Sequence, residues 1–169
     1  MGRQPELEAD NLKKLKAQAV AKGRDLKFGI RLHVISRETE DEAWVVADKL
    51  LGWVSPDQVA NAKSLAAKSE SVGQSHMTAL HAERNGLPKS ARELQIHPGV
   101  WSGYGLVRGG AGTALVGSHE QVADLVETYH KAGFDHFIFS GQPHSEEAWH
   151  FGEGAAARLK ARGLLAPVS

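Results

Sequence analysis

Three stretches of the sequence hold side chains that could do chemistry. In FGIRLHVISRE, residues 28–38, Arg31 and His33 stand two positions apart in a run of strand-forming residues. Side chains alternate along a strand, so Phe28, Ile30, Leu32 and Val34 form one face and Gly29, Arg31, His33 and Ile35 the other. The first face is uniformly apolar. On the second, a guanidinium and an imidazole make a cradle for an anion, the guanidinium offering a planar fork of donors. The same residues would serve equally in an internal ion pair with an Asp or Glu from a neighbouring strand, and the pattern leaves both readings open.

The second stretch, GYGLVRGGAGTALVG, places Gly103, Gly105, Gly109, Gly110 and Gly112 around a single charge, Arg108. A glycine-hinged loop with one arginine suits a lid that closes on an anionic ligand and excludes water. A flexible connector is the plainer alternative. The stretch matches neither the phosphate-loop nor the dinucleotide fingerprint. In the third, SGQPHSEEAWHFGE, Gln142 and His144 fall in the turn between a strand and a helix, with Ser145 as the expected cap. His144 then lies at the same sheet end as His33, where it could donate to a bound ligand; a loop histidine at the helix entrance is the plainer alternative. Nine histidines invite a metal, but no H-E-x-x-H or paired-ligand spacing occurs. Trp44, Trp53 and Trp149 read as core residues, and Trp101 has an open role.

These residues need a scaffold. Pro5 to Lys22 has helical spacing and a stop at Gly23; a strand follows over 27–35. Thr39 and Glu42 form a capping box that opens a helix through about Leu51, with Ala43, Val46, Ala47 and Leu50 inward. Further helices are predicted over 56–68 and 71–84. From Asn85 to Gly112 apolar periodicity disappears, which reads as one long loop. A short strand, TALVG, then precedes a second capping box, Ser118 with Gln121, and a helix over 119–132. A strand over 134–141 and a helix from Ser145 to about Gly163 complete the chain. Strands separated by helices imply parallel pairing with right-handed crossovers, an α/β fold in a single domain over 1–169. Three strands are too few for a closed eight-stranded barrel, which typically takes ~250 residues.

Bulk properties exclude several functions. The 169 residues carry 20 basic and 20 acidic side chains, so net charge makes no case for nucleic acid or an anionic membrane. Without cysteine there is no disulfide, thiolate metal site or cysteine nucleophile. The polar start, MGRQPELEADNLKKL, does not read as a signal peptide, and no apolar run approaches spanning length; a cytoplasmic protein is expected.

Four motifs, GIRLHVISRETEDEAW, SVGQSHM, GVWSGYGLVRGGAGTALVGS and FDHFIFSGQPHSEEA, resemble the C-terminal half of the reduced-flavin-dependent alkanesulfonate monooxygenases, within the bacterial-luciferase-like superfamily. The resemblance runs from about Pro5 to Gly152. It implies a (β/α)8 barrel of which this chain is a half, a TIM-type partial barrel with a long glycine-rich insertion. It also implies reduced FMN supplied by a separate flavin reductase, with O2 and a sulfonate as substrates and an aldehyde and sulfite as products. Carried over position by position, Arg31, His33 and Arg108 become catalytic residues. Gln142, His144, Gly109 and Gly110 become substrate- or cofactor-binding ones. Gln142 stands where the family motif has a tyrosine; an amide donates a hydrogen bond but is no phenolic acid, which opens the alternative of a sulfone or another small sulfur compound. The family's N-terminal strands, active-site cysteine and most flavin-phosphate contacts lie upstream of Met1. The resemblance therefore also admits a homo-oligomer, a chain completed by a missing N-terminal half, or an inactive truncated barrel that self-associates.

Overall fold

The computed structural model describes residues 4–67, 87–107 and 111–165. The helix predicted over 71–84, the SVGQSHM motif, and Arg108, Gly109 and Gly110 lie outside the described residues.

Helix α1 (Pro5–Ala21) starts on a proline with Glu6 and Glu8 in its first turn and stops before Gly23, whose φ of +66° an L side chain resists. Strand β1 (Gly29–Arg37) leads into α2 (Glu40–Gly52), and α3 (Pro56–Ala67) follows. The Thr39–Glu42 capping box forms as predicted. The inner face of α2 is rotated slightly from expectation, burying Ala43, Trp44, Ala47 and Leu51. Trp44 meets the core expectation, whereas Trp53 and Trp149 are exposed, at 75% and 62%.

The stretch predicted as one long loop carries structure. A 3-10 turn (Ala91–Leu94) leads to β2 (Gln95–His97) and β3 (Val100–Trp101), an antiparallel pair turned at Gly99, φ +69°. Strands of three and two residues are too short to show a period in the sequence. A second 3-10 turn (Gly103–Leu106) precedes β4 (Ala114–Ser118) and α4 (His119–Lys131), whose Ser118–Gln121 capping box also forms. The last strand, β5, is shorter than predicted (His136–Ser140). Phe134 goes into the core, and the Asp135 carboxylate accepts the Phe28 N–H at 2.9 Å. The final helix begins at α5 (His144–His150), passes through a π-helical turn (Phe151–Ala156), and ends as α6 (Ala157–Ala161). Its cap position is Pro143 rather than Ser145, which already lies in the first turn and makes no capping bond.

The sheet is open, with strand order β2-β3-β4-β1-β5. β1 pairs in parallel with both β4 and β5, as predicted, while β3 runs antiparallel to β4. The β1-to-β4 and β4-to-β5 connections therefore run in opposite directions across the sheet. Right-handed crossovers taken in opposite directions put their helices on opposite faces. The two clusters of buried residues agree. Ile30, Leu32, Val34 and Leu115 pack with Leu12 of α1, Val122, Val126 and Tyr129 of α4, and Leu159 of α6. Ile35, Ala114 and Val116 pack on the other side with Ala43, Trp44 and Ala47 of α2 and with Trp101, Tyr104 and Leu106. Among the described residues no helix is long and apolar enough to cross a membrane.

Candidate active site

Parallel pairing brings the β1 face of Arg31 and His33 beside the same face of β5: Arg31 is level with Ile138, and His33 with Ser140. The two β1 residues meet different surroundings, because the 3-10 turn at 103–106 covers only the C-terminal part of this face.

His33 is completely buried. Its ring stacks on Tyr104, with centroids 4.0 Å apart and planes inclined by 22°, and Tyr104 in turn meets Trp101 edge-on at 5.4 Å. The Nε2 lies 3.0 Å from the Ala111 carbonyl oxygen, and Nδ1 lies 3.1 Å from Ser140 Oγ. A carbonyl only accepts, so Nε2 carries the proton; in the neutral ring Ser140 Oγ–H then donates to Nδ1. The imidazole is thus held in one tautomer and one plane.

Arg31 is exposed, and no acidic side chain pairs with it among the described residues. Its strand neighbour Ile138 is 61% exposed, so a cation and an apolar side chain stand together on the uncovered part of the sheet. At the C-terminal end of β5, Gln142 is half-buried and His144 is exposed at the start of α5. The structure therefore brings Arg31 and His33 to one sheet face, with Gln142 in the turn that leaves it and His144 at the start of α5.

Residues that pattern reading did not single out complete the surroundings. Tyr104, Ser140 and the Ala111 carbonyl hold His33; the parallel register of β1 and β5 was the only signal for Ser140. The Trp101 indole N–H is buried and has no acceptor among the described residues. One step further along β1, Arg37 forms a two-pronged ion pair with Glu147 of α5, whose carboxylate is 1% exposed. Ser36 Oγ and His119 Nδ1 are 2.7 Å apart, and both residues are buried. Burial pushes the His119 imidazole below the ordinary histidine range, with Glu38 opposing and Arg158, His150 and Arg37 adding to the shift. No group of three described side chains is arranged to hold a metal ion.

A family model described as luciferase-like monooxygenase matches residues 1–136 of this chain. The chain belongs to that family. The matched residues include Arg31, His33 and Arg108 and stop short of Gln142 and His144. Among solved structures, the luciferase-like chain is similar to a riboflavin lyase (RcaE) crystallised with modified FMN and its substrate riboflavin, at 20% identity and a TM-score of 0.64. The similarity covers 98% of this chain and 38% of the lyase, so the chain spans well under half the length of that structure. The shared fold is a part of a barrel whose sheet is not closed here.

Proposed function

We propose that this chain provides one wall of the active site of a reduced-FMN-dependent monooxygenase that cleaves the C–S bond of alkanesulfonates. The observation that carries the reading is Arg31: exposed, without an ion-pair partner among the described residues, and level with apolar Ile138 beside buried His33. A sulfonate joined to an alkyl chain is an anion attached to an apolar body, and this face offers complements to both.

The same residues fit a flavin. Ile138 presents apolar surface to a flat ring, and Arg31 presents donors to an anionic edge. Bound reduced FMN, recharged by a flavin reductase, would supply with O2 the oxidising power that C–S cleavage requires. The chain's own residues would do the rest. Arg31, with Arg108 from the glycine-rich segment and the close backbone approach that Gly109 and Gly110 permit, binds negative charge. His33 holds one proton at Nε2 and can take a second at Nδ1, whereupon Ser140 Oγ turns from donor to acceptor. Gln142 and His144 donate hydrogen bonds from the rim. Enclosing the flavin takes further strands, from sequence beyond this chain or from a second copy. A sulfone substrate is the second reading, favoured by the half-buried amide of Gln142, which orients a neutral oxygen without supplying an acidic proton.

The test combines the chain with the N-terminal strands of a luciferase-like relative and follows sulfite release from alkanesulfonates with FMN, flavin reductase and O2. Sulfite formation that Arg31→Ala lowers by roughly a hundredfold is expected for a lost charge clamp. An unchanged rate in that variant, or no sulfite from any alkanesulfonate, overturns the reading. Product from a sulfone alone selects the second substrate class.

A further inference from the structure

We infer that a cavity at the C-terminal ends of β1 and β4, separate from the Arg31–His33 face, is a binding site for a small organic cation of the ammonium type. The inference does not depend on the proposed oxygenase activity.

The fold itself creates the cavity. β1 and β4 are adjacent parallel strands, yet the chain leaves β1 toward α2 on one face and leaves β4 toward α4 on the other. Where neighbouring strands send their connections to opposite faces, their C-terminal ends part and leave a crevice in which α/β proteins place ligands. Here the crevice has a volume of about 270 Å3, enough for a small molecule. Arg37 and Glu38 at the end of β1, His119 at the start of α4, and Trp149, His150 and Glu153 line it.

The sign of the ligand follows from the charges that remain uncompensated. Arg37 is the cavity's one permanent cation, and its guanidinium is spent on Glu147 and on the Ser36 carbonyl, 2.8 Å away. His119 faces Ser36 on one side and stands 3.5 Å from Glu38 on the other, and burial disfavours its charged form. That leaves the carboxylates of Glu38 and Glu153, and of Glu42, whose oxygen accepts the Thr39 N–H at 3.0 Å. Glu153 has no ion-pair partner among the described residues. Aromatic surface accompanies the negative charge. Trp149 is largely exposed, and its ring meets His150 edge-on at 5.0 Å, leaving an indole face available. A carboxylate beside an open indole face selects a cation with an alkyl shell.

The wall shows a further mark of a built site. Glu153 sits in the π-helical turn, a rare geometry that concentrates at functional positions. In the same turn Gly154 admits the His119 ring: a Cβ there would fall 2.0 Å from His119 Nδ1.

The probe is choline, titrated into the whole chain while the Trp149 indole N–H is followed by NMR. Its uncharged carbon isostere, dimethylbutanol, and inorganic phosphate are titrated alongside. A saturable shift with choline is expected, with the isostere at least about threefold weaker. The exposed substitutions Glu153→Gln and Glu38→Gln together should weaken choline about tenfold, while the rest of the spectrum stays unchanged and so reports an intact fold. Equal response to choline and the isostere, no response to choline, or a response to phosphate in its place overturns the proposal.

Discussion

The ion pair between Arg37 and Glu147 gives the sharpest test of how this fold is held together. Replacing Glu147 by leucine leaves a guanidinium that is only 12% exposed without its two-pronged partner. Removing one partner of a buried pair costs about 3–5 kcal/mol, because the remaining charge stays desolvated. Arg37 keeps one bond to the Ser36 carbonyl and some contact with water, which places the cost near the lower end, about 3 kcal/mol. For a domain of this length that amounts to a fall in Tm of roughly 6–12 °C. A typical total of about 5–15 kcal/mol means that the variant still folds. Glu147→Gln, which keeps the shape and part of the hydrogen bonding, should fall between the leucine variant and the parent. The double variant Arg37→Leu with Glu147→Leu should recover more than half the loss, since no uncompensated charge remains. Urea unfolding followed by far-ultraviolet circular dichroism measures all four. A leucine variant within about 0.5 kcal/mol of the parent refutes the reasoning, as does a double variant no more stable than the single one.

Two further outcomes follow from the same region. Gly154→Ala should destabilise the chain by about 1–3 kcal/mol through overpacking against the His119 ring, a loss visible in thermal melts; substituting His119 by alanine in the same chain should relieve most of it. His119 should also make stability depend on pH. Its pKa is lowered from 6.5 on folding, so the unfolded chain binds the extra proton first. Stability is then level above the ordinary histidine range and falls as pH drops from about 6.5 toward the lowered value, and His119→Gln should flatten that part of the profile when urea midpoints are compared.

Much of the scaffold was legible because its signals are local. Both capping boxes, Thr39 with Glu42 and Ser118 with Gln121, act within four residues and formed where expected. The β1, β4 and β5 strands were visible in their apolar runs. The hairpin of β2 and β3 was not, because two or three residues carry no period and pairing across Gly99 supplies their order. The candidate site divides in the same way. Arg31 and His33 stood out as costly residues on a strand, and pattern left them suspended between an ion pair and an anion cradle. Tertiary structure separated their fates: the 3-10 turn at Tyr104 buries one, and the uncovered part of the sheet exposes the other.

By itself, then, the sequence determined the helices α1, α2 and α4 and the strands β1, β4 and β5, and which face of β1 is wholly apolar. Those choices depend on side-chain alternation and on bonds between near neighbours. Only the tertiary structure decided that β1 stands between β4 and β5, that Ser140 meets His33, that Glu147 is buried against Arg37, and that a crevice opens beside His119. Each of these joins residues about 80 or more positions apart. Their pairing is set by strand order and by desolvation of charge, neither of which leaves a mark in any short stretch of sequence.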